Sequence, residues 1–214
     1  MQYFSNAGGA VVVRRMIETI RAHKDYLGEI DGRIGDGDHG INMSKGFTLA
    51  GERIGPADGF SSSIRILSQV LLLEIGGSMG PLYGSFFKAF FKLSKDTEKI
   101  TAPLFLAMLE SGTAVVKELG GAEVGDKTLV DTLTPAIAAF KEALANDRSF
   151  QDALVACVKA AAAGKDSTKE MLAKIGRSAR LGERSRGVLD AGAVSSFLIL
   201  DAMAQQISEI MQSD

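Results

Sequence analysis

Residues 31–46 read DGRIGDGDHGINMSKG, and the conformation of this stretch decides what kind of molecule the chain can form. Three aspartates, a histidine and an asparagine stand among five glycines, between two apolar segments with helical spacing. In a helix, Asp31 and Asp36 would lie about 140° apart and Asp36 and Asp38 about 160° apart. A strand aligns Asp36 with Asp38 and turns Asp31 to the other face. Only an irregular turn, opened by Gly32, Gly35, Gly37 and Gly40, converges all three. Two carboxylates about 4 Å apart repel by roughly 4 kcal/mol at an effective dielectric of about 20. A converged trio therefore calls for a cation or for raised pKa values.

All-oxygen ligands favour a hard ion, Mg²⁺ or Ca²⁺. The calcium-loop pattern of the EF-hand fails: counted from Asp36, Ile41 stands where the loop needs glycine and Phe47 where it needs glutamate. Magnesium shares its coordination shell with water and substrate phosphates, so the segment points to a nucleotide. The opposing reading is a solvated, aspartate-rich turn without a ligand.

Outward from this turn the chain reads as helices joined by short connections. Period 3.6 dominates, and strand alternation is almost absent. A first helix follows Ser5 or Asn6 and places Val13, Met16, Ile17, Ile20 and Leu27 on one face; a second carries Met43, Phe47 and Ala50. The third, after serines 61 to 63, holds Ile64, Leu67, Leu71 and Ile75. The fourth starts at Pro81, and its stripe of Tyr83, Phe86, Phe87, Phe90 and Phe91 reads as core. The fifth runs from Leu104 to Leu119 and stops at Gly120 and Gly121; the sixth carries Leu129, Leu133, Ile137, Phe140 and Leu144. The seventh runs from Ser149 through Cys157, Met171 and Ile175 to Gly176, and the last begins near Gly192. The expectation is an all-α, antiparallel eight-helix bundle or closed barrel. Four polar connections, 31–42, 76–85, 120–128 and 176–192, precede helices two, four, six and eight, so parity gathers them at one end.

The 214 residues, 46% hydrophobic, suit a single domain over 1–214. A net charge of −2 gives no footprint for nucleic acid or anionic lipid. The lone cysteine, Cys157, lies in the apolar run ALVACVKA and reads as a buried thiol in a reducing compartment. The run VLLLEIGG is too short to span a bilayer. A cytoplasmic protein is the expectation.

The other connections have chemistry of their own. In GGSMGPLYGS (76–85), backbone N–H groups and the Ser78 hydroxyl suit an anion at a helix start, and a glycine turn with Pro81 in the first helical position accounts for the same residues. GGAEVGDKT (120–128) imitates a phosphate-binding Walker loop but inserts Asp126 and follows a helix, so it is not one. Lys127 and Thr128 either touch a nucleotide or mark a helix start capped by Asp126. GRSARLGERSRG (176–187) gathers arginines suited to phosphate, with Arg177 expected to complete the site. Of the two histidines, His39 enters the site, and His23 on helix one is a surface or partly packed residue with no special role.

Together, IGDGDHGINMSKGF, GGSMGPLYGSFF, GAEVGDKTLVD and GRSARLGERSRGVLDAGA, in this order and spacing, resemble the ADP-binding L subunits (DhaL type) of bacterial dihydroxyacetone kinase. The resemblance implies an eight-helix barrel holding ADP or ATP at one end through two Mg²⁺ ions. It implies metal ligation by Asp31, Asp36 and Asp38. It implies nucleotide contacts from His39, Gly40, Ile41, Asn42, Ser78, Met79, Gly120, Leu129, Arg177, Asp190, Ala191 and Gly192. Met79 and Ala191 depart from the small residue and the proline common at those positions. The implied activity passes the γ-phosphoryl group to a short ketose held by a separate K subunit, with no side chain assigned as a catalytic acid or base. The donor is a phosphohistidine carrier (M subunit) or free ATP, and a homodimer is compatible. Two other classes stay open: a nucleotide-bound regulatory protein without kinase activity, and a structural metal-binding helical protein.

Overall fold

Amphipathic stripes of period 3.6 need another apolar face to cover them, and here they cover one another. The computed structural model describes residues 3–213. Nine α-helices occur among them: α1 (Ala10–Ala22), α2 (Lys24–Ile34), α3 (His39–Arg53), α4 (Phe60–Glu74), α5 (Met79–Ser94), α6 (Ala102–Gly120), α7 (Val130–Ala145), α8 (Phe150–Ser167) and α9 (Ala191–Ser213). Sequential neighbours pack in pairs, and α9 returns to lie on α1, so the bundle closes. The phenylalanines of α5 are core, as their spacing predicts: Phe86, Phe87 and Phe90 interlock, and Phe90 meets Phe105 at 6.2 Å, which meets Phe140 and Phe150 at 5.8 Å. Such aromatic pairs add about 0.5–1.5 kcal/mol each beyond the area they bury. No helix among the described residues is long and apolar enough to cross a membrane.

The all-α bundle is as expected, with local departures. The first expected helix is two. At His23 the backbone leaves helical geometry (φ −101°, ψ 12°), and the ring Nδ1 lies 2.8 Å from the Thr19 carbonyl. His23 is thus a partly packed residue, at the corner where α2 swings toward α3. The expected seventh helix stops at Ser167 instead of Gly176, because the Ser167 and Thr168 hydroxyls turn back and donate to the carbonyls of Gly164 and Lys165 at 2.6 and 2.7 Å. Met171 and Ile175 thus fall outside the helix. The segment Ser178–Ser185 forms 3₁₀ turns interrupted at Gly182 (φ 55°). A short antiparallel ribbon, β1 (Tyr3–Ser5) with β2 (Lys99–Thr101), was not expected; it sets Phe4 opposite Ile100, both fully buried. Asn6 ties it to α4 and the end of α5 through Ser61, Ser94 and Thr97.

Candidate functional site

The four polar connections do meet at one end of the bundle, around a cavity of about 520 Å³. Asp31 comes from the last turn of α2, and Asp36 and Asp38 from the turn before α3. One oxygen from each carboxylate lies within 4.8 Å of the others. Glycine makes this possible in two places. Gly37 takes φ 78°, a left-handed value. A Cβ on Gly35 would sit 2.2 Å from Asp31 Oδ1, so no side chain fits beside the carboxylate. The Gly35 N–H returns to the Asp31 carbonyl at 2.5 Å, and the His39 N–H reaches Asp31 Oδ2 at 3.2 Å.

Asp38 stands in the N-cap position of α3, yet its carboxylate accepts no capping hydrogen bond. A carboxylate there normally satisfies the helix's free N–H groups; here it is left to another partner. Asp36 is ion-paired with Arg177. Three carboxylates against one guanidinium leave negative charge unbalanced, and the donors are all hard oxygens, so the residues fit Mg²⁺.

His39 closes the floor of the cavity. Its ring is 8% exposed, and Nε2 lies 2.8 Å from the Ser195 hydroxyl, which is 2.6 Å from the Tyr83 hydroxyl. Tyr83 in turn donates to the Gly192 carbonyl at 3.0 Å. Burial pushes the His39 pKa down to about 4 against the pull of Asp31, so the imidazole is neutral at neutral pH. The chain of hydrogen bonds fixes the start of α3 against α5 and α9.

Residues 120–128 form a looped wall. Gly121, Gly125 and Lys127 all take positive φ, and Asp131, buried in the first turn of α7, accepts the N–H groups of Gly125 and Thr128 at 2.6 and 2.8 Å. Asp126 does not cap α7; it accepts the Glu123 N–H at 2.8 Å and pairs with Lys174. Lys127 lines the cavity, but its side chain is 1% exposed and its ammonium donates to the carbonyls of Thr168 and Val188 at 2.5 and 2.6 Å. It is a tether that lashes this wall to the segments flanking the arginines.

Next to it, the half-buried Asp190 accepts the Ala193 N–H at 2.8 Å at the start of α9. Burial pushes the Asp190 pKa up to about 6, with that N–H and Lys127 opposing the rise. Lys127→Met keeps most of the volume but leaves two carbonyls unbonded, an expected loss of about 2–4 kcal/mol in thermal unfolding. Because the folded pKa of Asp190, about 6, lies above its ordinary 3.8, its charge opposes folding fully above that window and not at all below it. Without Lys127 the opposition grows, so the deficit of the variant should be larger at about pH 8 than at about pH 5.

Of the expected site residues, Asp31, Asp36, Asp38, His39, Ser78, Met79, Gly120, Leu129, Arg177, Asp190, Ala191 and Gly192 line the cavity. Gly40, Ile41 and Asn42 do not. They form the first turn of α3: Gly40 is pressed against α2, Ile41 is 56% exposed, and the Asn42 N–H closes the helix onto the Asp38 carbonyl. Sequence reasoning missed Asp131, the function of Tyr83 and Ser195. The adjacent serines Ser195 and Ser196 in an otherwise apolar helix start were the available signal.

Fold and cavity define a closed helical bundle with a carboxylate-lined cavity at one end. Residues 33–205 match the DAK2 domain, and the chain belongs to that family. It is 37% identical over 208 residues to the ADP-binding subunit DhaL of PEP-dependent dihydroxyacetone kinase 2 from Listeria innocua, covering 92% of this chain and 93% of that one. The corresponding DhaL subunit of Escherichia coli is 33% identical over 86% of this chain and 89% of its own. The dihydroxyacetone kinase of C. freundii, solved in complex with AMP-PNP and Mg²⁺, superposes with a TM-score of 0.69 at 26% identity over 96% of this chain. This chain spans 35% of the length of that kinase.

Proposed function

We propose that this chain is the nucleotide-binding, phosphoryl-transferring subunit of a dihydroxyacetone or related short-ketose kinase, active with a separate K subunit that holds the ketose. The observation that carries the reading is the convergence of Asp31, Asp36 and Asp38 within 4.8 Å on the wall of a cavity that also holds Arg177. In this reading Asp31, Asp36 and Asp38 would hold two Mg²⁺ ions, which would supply positive charge against the phosphates of the nucleotide. The chain's own groups do the rest. Ser78 and the N–H groups opening α5 meet phosphate oxygens. Met79, Leu82, Leu119 and Leu129, all on the cavity wall, offer apolar surface to the base. Arg177, paired with Asp36 in this structure, would offer its guanidinium to a phosphate of the bound nucleotide.

Phosphoryl transfer is mostly positioning and electrostatics, which the carboxylate cluster, Arg177 and the helix start at Ser78 would supply. Relatives named as PEP-dependent and PTS-dependent kinases favour a phosphohistidine carrier over free ATP as donor, with ADP kept bound between turnovers. A cytoplasmic setting suits that exchange. A homodimer is compatible provided it leaves the cavity mouth to the K subunit.

Calorimetry with Mg-ADP tests the reading: saturable binding that disappears on chelation is expected. At about a thousand times the dissociation constant the ligand should add about 4 kcal/mol of stability, seen as a clear rise in melting temperature. A chain that neither binds Mg-ADP nor supports ketose phosphorylation with a K subunit and donor refutes it. Binding without transfer selects the regulatory alternative.

A further inference from the structure

A second, more open cavity of about 310 Å³ adjoins the first along Ile34, Gly35, Asp36 and Arg177. It adds Arg33, from the last turn of α2, and Arg180, from the 3₁₀ segment packed against α2. Arg177 is paired with Asp36. The guanidinium groups of Arg33 and Arg180 are exposed and make no hydrogen bond or ion pair among the described residues.

Three arginines thus line one hollow whose lining includes a single carboxylate. A cation near a helix C-terminus gains about 0.3–1 kcal/mol from the helix dipole, which accounts for Arg33 alone. It does not account for Arg180, which comes from a separate element to the same hollow. Like charges held together favour entry of an anion, and the planar fork of arginine matches phosphate oxygens two at a time. Apart from the arginines the wall offers Ile34 and Leu181, too little apolar surface for a base. The occupant is a compact dianion.

We propose that Arg33 and Arg180 form a second oxyanion site, beside Arg177, which takes the phosphoryl group of a molecule presented from outside the nucleotide cavity. This rests on the phosphotransferase reading above. The shared chemistry is a phosphoryl dianion, carried either on the imidazole of an incoming donor or as the ester of a departing short-ketose phosphate. Its place beside Asp36 puts that dianion next to the metal cluster, where the transferred group enters or leaves.

The test uses the full chain loaded with Mg²⁺ and AMP-PNP, so that the γ-phosphate position is already filled. Inorganic phosphate, phosphoimidazole and dihydroxyacetone phosphate are titrated in turn by calorimetry. Saturable binding is expected, weakened at least tenfold in the Arg33→Gln/Arg180→Gln double variant and less in each single variant, with AMP-PNP affinity unchanged within twofold. Tighter binding of phosphoimidazole assigns the site to the donor, and tighter binding of dihydroxyacetone phosphate assigns it to the product. Absence of saturable binding for all three probes, or equal binding by the double variant, overturns the site. A chain that does not retain Mg²⁺ and AMP-PNP refutes the nucleotide reading instead, and the same titrations on the unloaded chain and double variant still decide the arginine pair.

Discussion

Asp36→Asn should leave the chain folded and lower the proposed phosphoryl transfer by orders of magnitude. The substitution keeps the shape of the side chain, removes one of three converging negative charges, and frees Arg177 from its partner. A carboxamide is a poor ligand for Mg²⁺. If the metals supply about 3 kcal/mol of transition-state stabilisation, their loss lowers the rate about 100-fold or more. Stability should change by less than about 0.5 kcal/mol, since the lost ion pair is exposed. Asp38→Asn separates the causes, because the Asp38 carboxylate has no hydrogen-bond or ion-pair partner among the described residues. Equal falls in both variants identify metal loss; a fall in Asp36→Asn alone identifies the freed Arg177. Normal Mg-nucleotide content together with a normal rate in Asp36→Asn would remove Asp36 from the site.

Gly40→Ala should have the largest effect on stability. The added Cβ would lie 2.0 Å from the Lys24 carbonyl oxygen and 2.7 Å from the Gly28 nitrogen. Both are backbone atoms of α2 and cannot swing aside, so the two helices must part. The expected loss is about 3 kcal/mol or more, which for a chain of this size lowers the melting temperature by about 6–12 °C. Nucleotide binding should weaken with it, since separating α2 from α3 separates Asp31 from Asp38. Gly8→Ala is the control, for its Cβ meets nothing within 4 Å. A melting temperature for Gly40→Ala within about 1 °C of the parent would show that α2 and α3 are not in the contact described.

The carboxylate site was legible because its sequence excludes regular structure: Asp31, Asp36 and Asp38 converge in neither a helix nor a strand. Parity then brought the other three connections to the same end without any knowledge of contacts. Gly40 was legible as part of the segment but not in its place, since a glycine expected beside a ligand looks the same as one beside a helix. Lys127 shows the harder limit. It sits in a motif that suggests phosphate, yet it bonds the carbonyls of Thr168 and Val188, and a backbone carbonyl carries no mark in the sequence. The end of α8 was hidden for a related reason. Apolar spacing continues through Met171 and Ile175, while the stop comes from two hydroxyls turning inward, a choice made by local geometry. The ribbon strands are too short for alternation to register.

The cavity lies at the first turn of α9, and that helix then runs 23 residues away from it, about 34 Å at 1.5 Å per residue. β1 lies beside β2 just ahead of α6, whose far end, Gly120, is at the cavity. Both ends of the described chain therefore emerge on the side opposite the site. A tether or a fused neighbour attached at either end would leave the mouth clear, so that linker length alone could set how often the mouth meets its partner. A geometry with its business end and its attachment points at opposite poles is free to work as a detachable module or as a built-in one, with no change to the machinery between.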